Sequence, residues 1–321
     1  SGHGSGAGTA AERARQRSGH GSGAGTAAER ARQRSGQGSG AGRAGRDAAP
    51  GARRPGAGRD GARGRRRRGA RGGWECLTGG VIAIAELDGA VFDTDGVLTD
   101  TADLHAMAWK AAFDDLLRAL PAGTAERARA PFDLITDYPR HVDGRSREDG
   151  MHTFLASRGL EDLAPSALTR LAERKDRIYL ALLRRQGAAP RPGVVDLLAG
   201  LRACDVPTAV VSASRHCTQV VAAAGLTGRF DVRVDGLAAA RLGLPGRPEP
   251  ALLLEAARRL GAAPDRTLVV EDAVVGVEAG RRGGFSPVVG VDRGAGAELL
   301  LASGADLVVS DLTELPPLLG L

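Results

Sequence analysis

Lysine is almost missing from this chain of 321 residues, which contains only Lys110 and Lys175 against 42 arginines. Aromatic residues make up 3% of the sequence, and the three cysteines show no paired spacing, which argues against a disulfide framework or a zinc site. So few cysteines fit a reducing compartment, and no run of about 18 apolar residues indicates a membrane span. We therefore expect a cytoplasmic, monomeric protein without membrane partners.

The first 72 residues differ in composition from the rest, because they hold 17 arginines, no lysine and four acidic residues. Their net charge is +13; since the whole chain carries +6, the remaining residues carry −7. The segment SGHGSGAGTAAERARQR occurs at residues 1–17 and again at 18–34, and such sequence cannot bury enough apolar surface to fold. We predict a low-complexity, disordered Arg/Gly-rich tail over residues 1–78. It is a solvated or spurious extension, an arm that binds RNA or a membrane surface, or a nuclear targeting signal.

From about residue 81 onward, short β-branched segments such as TAVVSAS, TLVVED and PVVGV alternate with helical patterns. This alternation predicts an α/β fold, a Rossmann-like parallel sheet covered by helices on both faces. The apolar segment VIAIA and the following AVF are expected to form the first strand. Residues 105–189 read instead as successive helices, which we interpret as an inserted helical cap. The core is then expected over residues 79–104 and 190–321.

Carboxylates follow two of the predicted strands at the point where each strand ends. Asp93 and Asp95 end the first strand, and Glu271 and Asp272 end the segment TLVV. Because alternate side chains of a strand share a face, Asp93 and Asp95 are expected to point into the same crevice as the second pair. Four carboxylates repel one another unless a cation lies among them, and hard oxygen ligands without Cys or His favour Mg²⁺.

Hydroxyl groups follow a third predicted strand, where Ser212 and Ser214 precede a helical segment. Hydroxyls together with the free N–H groups of a helix N-terminus are typical of an anion site. Acids, a hard metal and an anion site together indicate phosphoryl transfer.

Four segments resemble, in order and spacing, the motifs of the haloacid dehalogenase-like (HAD) superfamily: VFDTDGVLTDT, VVSAS, GRPEP and VVEDAVVGVEAG. The resemblance covers about residues 81–312. It implies Mg²⁺-dependent phosphoryl transfer through an aspartyl phosphate, with Asp93 as the nucleophile. Asp95 would protonate the leaving oxygen and later deprotonate the attacking one. Mg²⁺ would be held by Asp93, the Asp95 carbonyl, Glu271 and Asp272.

The second motif implies a phosphate site. Ser212 and the Ala213 amide would hold the transferring phosphate, and Ser214 and Arg215 of the segment SASR would contact substrate.

Within the superfamily, the segments DTDGVLTDTADLHAMAWK, GRSREDG and AERKDRIY resemble the β-phosphoglucomutase-like branch. This resemblance implies that His105, Trp109, Gly144, Arg147 and Lys175 contact the substrate, with Arg147 on its distal phosphate. Other interpretations stay open for some of these residues. His105 and Arg147 are also compatible with solvent-exposed positions, and Trp109 with the core of the cap.

One position departs from the family pattern. The third motif normally carries a lysine that neutralises phosphate and nucleophile, and here the segment GRPEP offers Arg247. Arginine is planar, bidentate and always charged, so it is not an isostere of lysine. In a chain that uses arginine almost everywhere, Arg247 is expected to fill the role; the alternative is a surface arginine in a weakened enzyme.

Three functions remain open on these residues. The first is a β-phosphoglucomutase that converts β-glucose 1-phosphate into glucose 6-phosphate, with glucose 1,6-bisphosphate as activator. The second is a phosphatase acting on a sugar phosphate or another small phosphomonoester. The third is a nucleic-acid-binding protein that acts through its Arg-rich tail.

Overall fold

The structure of the protein is a computed structural model that describes residues 82–294 and 296–321. The predicted tail over residues 1–78, with its alternative interpretations, lies outside the described residues. Among the described residues, no helix combines the length and apolarity that crossing a membrane requires.

A single parallel sheet of six strands forms the core of the described chain, which confirms the predicted fold class. The strands are β1 (Gly89–Asp93), β2 (Thr208–Val211), β3 (Val232–Val234), β4 (Thr267–Glu271), β5 (Val288–Val291) and β6 (Leu307–Val309). Their order in the sheet is β3-β2-β1-β4-β5-β6, so β1 lies between β2 and β4. The carboxyl ends of these three strands therefore meet at one edge.

The first strand begins later than the apolar pattern predicts. Ile84–Glu86 forms a 3₁₀ helix, and strand pairing starts only at Gly89, which aligns with Thr267 of β4. The expectation that VIAIA forms part of this strand is therefore wrong for residues 84–86. Ile84 is still buried in the core, and an apolar pattern records this burial without distinguishing a strand from a helical turn.

Helices cover both faces of the sheet. In chain order they are α1 (Ala102–Arg118), α2 (Glu126–Arg129), α3 (Asp137–His141), α4 (Arg147–Ser157), α5 (Pro165–Gln186), α6 (Val194–Ala203), α7 (Cys217–Ala223), α8 (Gly236–Leu242), α9 (Ala251–Leu260), α10 (Val274–Arg282), α11 (Ala297–Ala302) and α12 (Leu315–Leu319). Because side chains alternate along a strand, Phe92 packs with Leu197 of α6 on one face, and Val91 packs with Leu253 of α9 on the other. Both faces of β1 are thus buried, which fixes the position of its last residue.

The five helices α1–α5 lie between β1 and β2 in the sequence and form the inserted cap. Helix α1 packs against α5, and an aromatic cluster of Trp109, Phe113, Phe132 and Phe154 fills the interior of the cap. Helix α1 begins at Ala102, three residues before the predicted start of the cap. The domain boundaries at residues 104/105 and 189/190 stay predictions.

The two connections between core and cap run side by side. Thr99 forms an isolated bridge with Pro190, and Asp100 accepts a hydrogen bond from the Ala189 N–H at 2.9 Å. The chain leaves β1 through a sharp turn in which Gly96 has φ +100°, a conformation that favours glycine.

The structure describes two of the three cysteines. Cys217 is buried and free, whereas Cys204 is disulfide-bonded. The expectation that the chain has no disulfide framework stays a prediction, because the third cysteine, Cys76, lies outside the described residues.

Candidate active site

Three carboxylates meet at the carboxyl ends of the two central strands. Asp93 is the last residue of β1, Glu271 is the last residue of β4, and Asp272 follows directly. One carboxylate oxygen from each lies within 4.8 Å of the others, and all three side chains are buried. The parallel pairing of β1 and β4 thus brings together three of the four carboxylates predicted to converge, while the fourth, Asp95, lines the same cleft outside this cluster.

The electrostatics of this cluster suit a divalent cation. Burial raises the pKa of Asp93 and of Glu271, and it raises the pKa of Asp272 to about 8. The Oε2 atom of the fully buried Glu271 has no hydrogen-bond partner among the described residues. A buried, oxygen-only donor set with an unpaired oxygen fits Mg²⁺, so the residues present are compatible with the predicted metal.

Arg247 lies beside this cluster, where the resemblance expects a cation. Its Nη2 donates to Asp93 Oδ1 at 2.8 Å and also pairs with Glu271, and its side chain is 3% exposed. Burial opposes the charge on Arg247, but the two carboxylates outweigh it and raise the pKa of the guanidinium. The interpretation of Arg247 as a surface residue is therefore wrong, and its role in turnover stays a prediction.

Asp95 is not part of the three-carboxylate cluster, and hydroxyl groups hold its carboxylate. Thr101 Oγ1 donates to its Oδ1 at 2.6 Å, and Ser212 Oγ donates to its Oδ2 at 3.2 Å. Burial favours the neutral acid, but His105, Thr101 and Ser212 together lower the pKa of Asp95 to about 2. Because both carboxylate oxygens of Asp95 accept hydrogen bonds, its backbone carbonyl is the group that we expect to bind the metal. This role stays a prediction.

A histidine and a lysine of the cap approach Asp95. Lys175 Nζ lies 2.9 Å from His105 Nδ1, and His105 Nε2 lies 3.4 Å from Asp95 Oδ1. Because an ammonium group can only donate, Nδ1 accepts and the neutral imidazole carries its proton on Nε2, facing Asp95. Burial lowers the pKa of His105 and lowers the pKa of Lys175 to about 8. The interpretation of His105 as solvent-exposed is thus wrong.

A second group of charges, from the cap and from the loop after β2, lines the same cleft. Arg147 at the start of α4 pairs with Asp176 of α5 at 2.5 Å and with Glu148 at 2.8 Å. Arg215, in the core loop after β2, pairs with the same Glu148 at 3.1 Å. Cap and core therefore bring two arginines to one place, and their contact with substrate stays a prediction.

The other predicted residues also line this cleft. Ala213 and Ser214 follow β2, and the Ser214 N–H donates to Ser212 Oγ at 3.1 Å. Trp109 is 3% exposed and stacks on Phe113, so it belongs to the cap core as well as to the cleft wall. The carbonyl of Gly144 lies 3.5 Å from Arg247 Nη1.

Several residues of the site escaped prediction from the sequence. Thr101 binds Asp95, Asp176 binds Arg147, and His216 lies 3.3 Å from Asp176. Arg293 pairs with Asp272 and faces Asp143 of the cap. Of these four residues, only Arg293 has a signal of the kind used above, because it lies two residues after the end of another strand, β5, in the segment VVGVDR.

Comparisons with known proteins agree with this geometry. A family model described as haloacid dehalogenase-like hydrolase matches residues 87–284. The β-phosphoglucomutase of Mycobacterium bovis is 43% identical over 236 residues, which cover 70% of this chain and 90% of that protein. The β-phosphoglucomutase of Bacillus subtilis is 31% identical, with 70% and 93% covered. The crystal structure of a hydrolase from Pseudomonas syringae aligns with a TM-score of 0.60 at 25% identity, over 71% of this chain and 95% of that one.

The strand-end carboxylates, the cap and these relatives lead to the same assignment. The chain belongs to the haloacid dehalogenase-like superfamily, in its β-phosphoglucomutase-like branch, and is an enzyme of the phosphomutase or phosphatase type.

Proposed function

We propose that the protein is a Mg²⁺-dependent β-phosphoglucomutase, which converts β-glucose 1-phosphate into glucose 6-phosphate through an aspartyl phosphate on Asp93. One observation carries this proposal: two separate groups of cations line a single cleft, Arg247 beside Asp93 (the proximal end) and Arg147 with Arg215 beside Glu148 (the distal end). A mutase must hold a second phosphate while the first is exchanged, and two cationic ends suit a bisphosphate.

The proximal end supports the phosphoryl-transfer step. A carboxylate oxygen of Asp93 forms a bond to phosphorus while the bond from phosphorus to the sugar oxygen breaks. Ser212 and the Ala213 amide, both in the lining of the cleft, would hold the phosphoryl oxygens, and Arg247 would neutralise the nucleophile before attack. Mg²⁺, held by Asp93, the Asp95 carbonyl, Glu271 and Asp272, would spread the charge that develops on the transferring group.

Asp95 would carry the proton between the attacking sugar hydroxyl and the leaving oxygen. A pKa of about 2 leaves Asp95 ionised at neutral pH, so it is ready to accept a proton from the sugar hydroxyl that attacks the aspartyl phosphate. It then returns the same proton to the oxygen that leaves in the next half-reaction. His105 presents its Nε2 proton to Asp95, and Lys175 fixes this tautomer from the other side.

The distal end supports recognition of the second phosphate. Arg147 and Arg215 now pair with Glu148 and Asp176, and these carboxylates occupy positions that phosphate oxygens would take. Guanidinium groups bind phosphate in the same bidentate geometry as carboxylate, so an exchange of partners preserves the shape of the site.

A sugar-phosphate phosphatase is the second candidate, favoured by the likeness to the P. syringae hydrolase. The same Asp93 and Asp95 serve this reaction if water, instead of a sugar hydroxyl, attacks the aspartyl phosphate. The two candidates differ in the acceptor, so their products separate them.

The test supplies β-glucose 1-phosphate, Mg²⁺ and a trace of glucose 1,6-bisphosphate as activator, and measures glucose 6-phosphate and free phosphate separately. A mutase yields glucose 6-phosphate with little free phosphate. Free phosphate without glucose 6-phosphate rejects the mutase in favour of the phosphatase, and neither product rejects both. Asp93→Asn, which removes the nucleophile, is the matched control and is expected to abolish both products.

The third possibility, nucleic-acid binding through the tail, is independent of this site. Deleting residues 1–72 tests it: lost retention on RNA or DNA with unchanged turnover would support a separate binding arm.

A further inference from the structure

An arginine with no role in the scheme above lies beside the carboxylates of the proposed metal site. Arg293 lies in the core loop after β5, and its side chain is 20% exposed. Its Nε pairs with Asp272, and its Nη2 lies 3.7 Å from Asp143 Oδ2. Asp143 belongs to the cap segment between α3 and α4. A single guanidinium thus joins a metal-site carboxylate to the cap.

The surrounding backbone is shaped for this contact. A side chain at Gly96, in the turn after β1, would collide with both Asp272 and Arg293, so glycine leaves room for the pair. A side chain at Gly144 would collide with Ala273 and Val275, so the cap backbone beside Asp143 packs directly on the chain that follows Asp272. Cap and metal site are therefore in contact at this point without intervening space.

The formal charges of these carboxylates and arginines, together with one divalent cation, add up to zero. Arg247 pairs with Asp93 and Glu271, and Arg293 pairs with Asp272 and Asp143. Four carboxylates and two guanidinium groups leave a formal charge of −2, which one divalent cation neutralises. Asp143 is part of this balance although it is no metal ligand, because it shares Arg293 with Asp272 and so leaves Asp272 able to bind the cation.

We propose that Arg293 is a positioning residue that couples metal binding at Asp272 to closure of the cap through Asp143. When Asp143 is in place, Arg293 is divided between two carboxylates, and Asp272 keeps an oxygen free for the metal. When the cap moves away, Arg293 is left to Asp272 alone and competes with the cation. This proposal rests on the metal site of the proposed function, and it makes the cap a determinant of metal affinity.

The test measures Mn²⁺ binding to the full chain by electron paramagnetic resonance, without substrate. Coupling between two sites typically changes affinity by about 5- to 150-fold, and for Asp143→Asn we expect binding about fivefold weaker. In an Arg293→Gln background, Asp143→Asn should change the affinity less than about twofold, because its effect passes through Arg293. Arg293→Lys should restore part of the dependence on Asp143. Asp162→Asn removes an equal charge from an exposed cap position and should leave Mn²⁺ binding unchanged.

A second readout follows the cap itself. Hydrogen exchange of the amides at residues 142–147 should slow when Mn²⁺ binds to the wild-type chain and should not respond to Mn²⁺ in Arg293→Gln. In activity assays, Asp143→Asn should raise the Mg²⁺ concentration needed for half-maximal rate, and it should not do so in the Arg293→Gln background.

Two results would overturn the proposal. The first is an equal effect of Asp143→Asn in the wild-type and Arg293→Gln backgrounds, because the effect would then be simple long-range electrostatics. The second is an effect of Asp162→Asn as large as that of Asp143→Asn. Failure of the wild-type chain to bind Mn²⁺ at all would instead remove the metal site of the proposed function, and the coupling with it.

Discussion

The two ends of the cleft use the same chemistry, arginine paired with carboxylate, in different surroundings. At the proximal end, the side chains of Asp93, Arg247 and Glu271 are 7% exposed or less. At the distal end, Arg147 is 18% exposed, Arg215 is 37% exposed and Glu148 is 48% exposed. Proximal charges are thus desolvated and fixed, whereas distal charges remain in contact with solvent.

In the proposed function, this difference separates the residues of the chemical step from those that would recognise the second phosphate. The proximal residues lie at strand ends or in core loops, where both faces of the sheet are packed, and buried charges interact strongly. The distal residues come from the cap and one core loop, and solvent weakens their pairing, so a phosphate can replace Glu148 or Asp176 at small cost. A mutase and a phosphatase can share the first end and differ in the second.

Replacing Arg247 with alanine should break the proximal end and give the largest effect. Asp93 and Glu271 would lose their shared cation inside a buried cluster, and the nucleophile would face an approaching phosphate without neutralisation. We expect kcat to fall by about 10³-fold or more, as removal of one buried charge-stabilising donor does elsewhere. Steady-state kinetics with β-glucose 1-phosphate measure the loss.

The matched variant Arg247→Lys keeps the positive charge but loses the planar guanidinium group that can pair with two carboxylates. It should retain more activity than Arg247→Ala, because an ammonium group can approach Asp93 but cannot pair with two carboxylates in the same planar geometry. Unchanged turnover in Arg247→Ala would refute the role given to this residue, even if the fold were intact.

The proximal end was also the more predictable from sequence. Asp93, Glu271 and Ser212 each lie at or directly after a buried strand, and the parallel order of the sheet brings such positions together. Arg247 does not lie at the end of a strand, so only the order of the family motifs indicated its role. Its burial between Asp93 and Glu271 became visible only in the structure.

The contacts made by cap residues were predictable as residues but not as pairs. Arg147 and Lys175 were identified by resemblance, yet their partners Asp176 and His105 follow no local pattern. The Lys175–His105 contact joins two residues that lie 70 positions apart in the sequence, one on α5 and one on α1. Nothing in the periodicity of either helix specifies this contact. The pairing of Arg293 with Asp143, which connects core and cap, could not be predicted either, because no local sequence pattern specifies it.

Replacing Arg147 with alanine should affect the distal end alone. The second phosphate would lose one guanidinium, so we expect KM for β-glucose 1-phosphate to rise by about 10- to 100-fold and the glucose 6-phosphate yield to fall relative to free phosphate. The exposed Arg170 of the same cap is the control, and Arg170→Ala should change neither quantity. Equal losses of glucose 6-phosphate and free phosphate would contradict the division between the two ends.

Lys175 connects the two ends and gives a prediction on pH. Burial lowers its pKa to about 8, so its charge is present below this pH and lost above it. If that charge fixes the His105 tautomer and attracts phosphate, kcat/KM should fall by up to about tenfold per pH unit above about pH 8. In Lys175→Arg the charge persists, so the alkaline decline should move to higher pH. A decline that stays in place in this variant would assign it to another group.

The smallest effect concerns stability at the proximal end without metal. Burial raises the pKa of Asp272 to about 8, while an aspartate in the unfolded chain titrates near 3.8. Between these values the folded protein holds a proton that the unfolded chain has released, so stability falls as pH rises through this window. For one proton the change is at most about 1.4 kcal/mol per pH unit, and the coupled neighbours Asp93 and Glu271 share it.

Thermal unfolding in EDTA at about pH 6 and about pH 7.5 should therefore give a midpoint lower by a few degrees at the higher pH. Saturating Mg²⁺ should abolish most of this difference, because the cation replaces the protons on the same carboxylates. Asp272→Asn removes the titrating group and should flatten the metal-free profile. A metal-free midpoint that rises with pH would show that the carboxylates are already ionised and paired, and that Arg247 and Arg293 alone make their proximity tolerable.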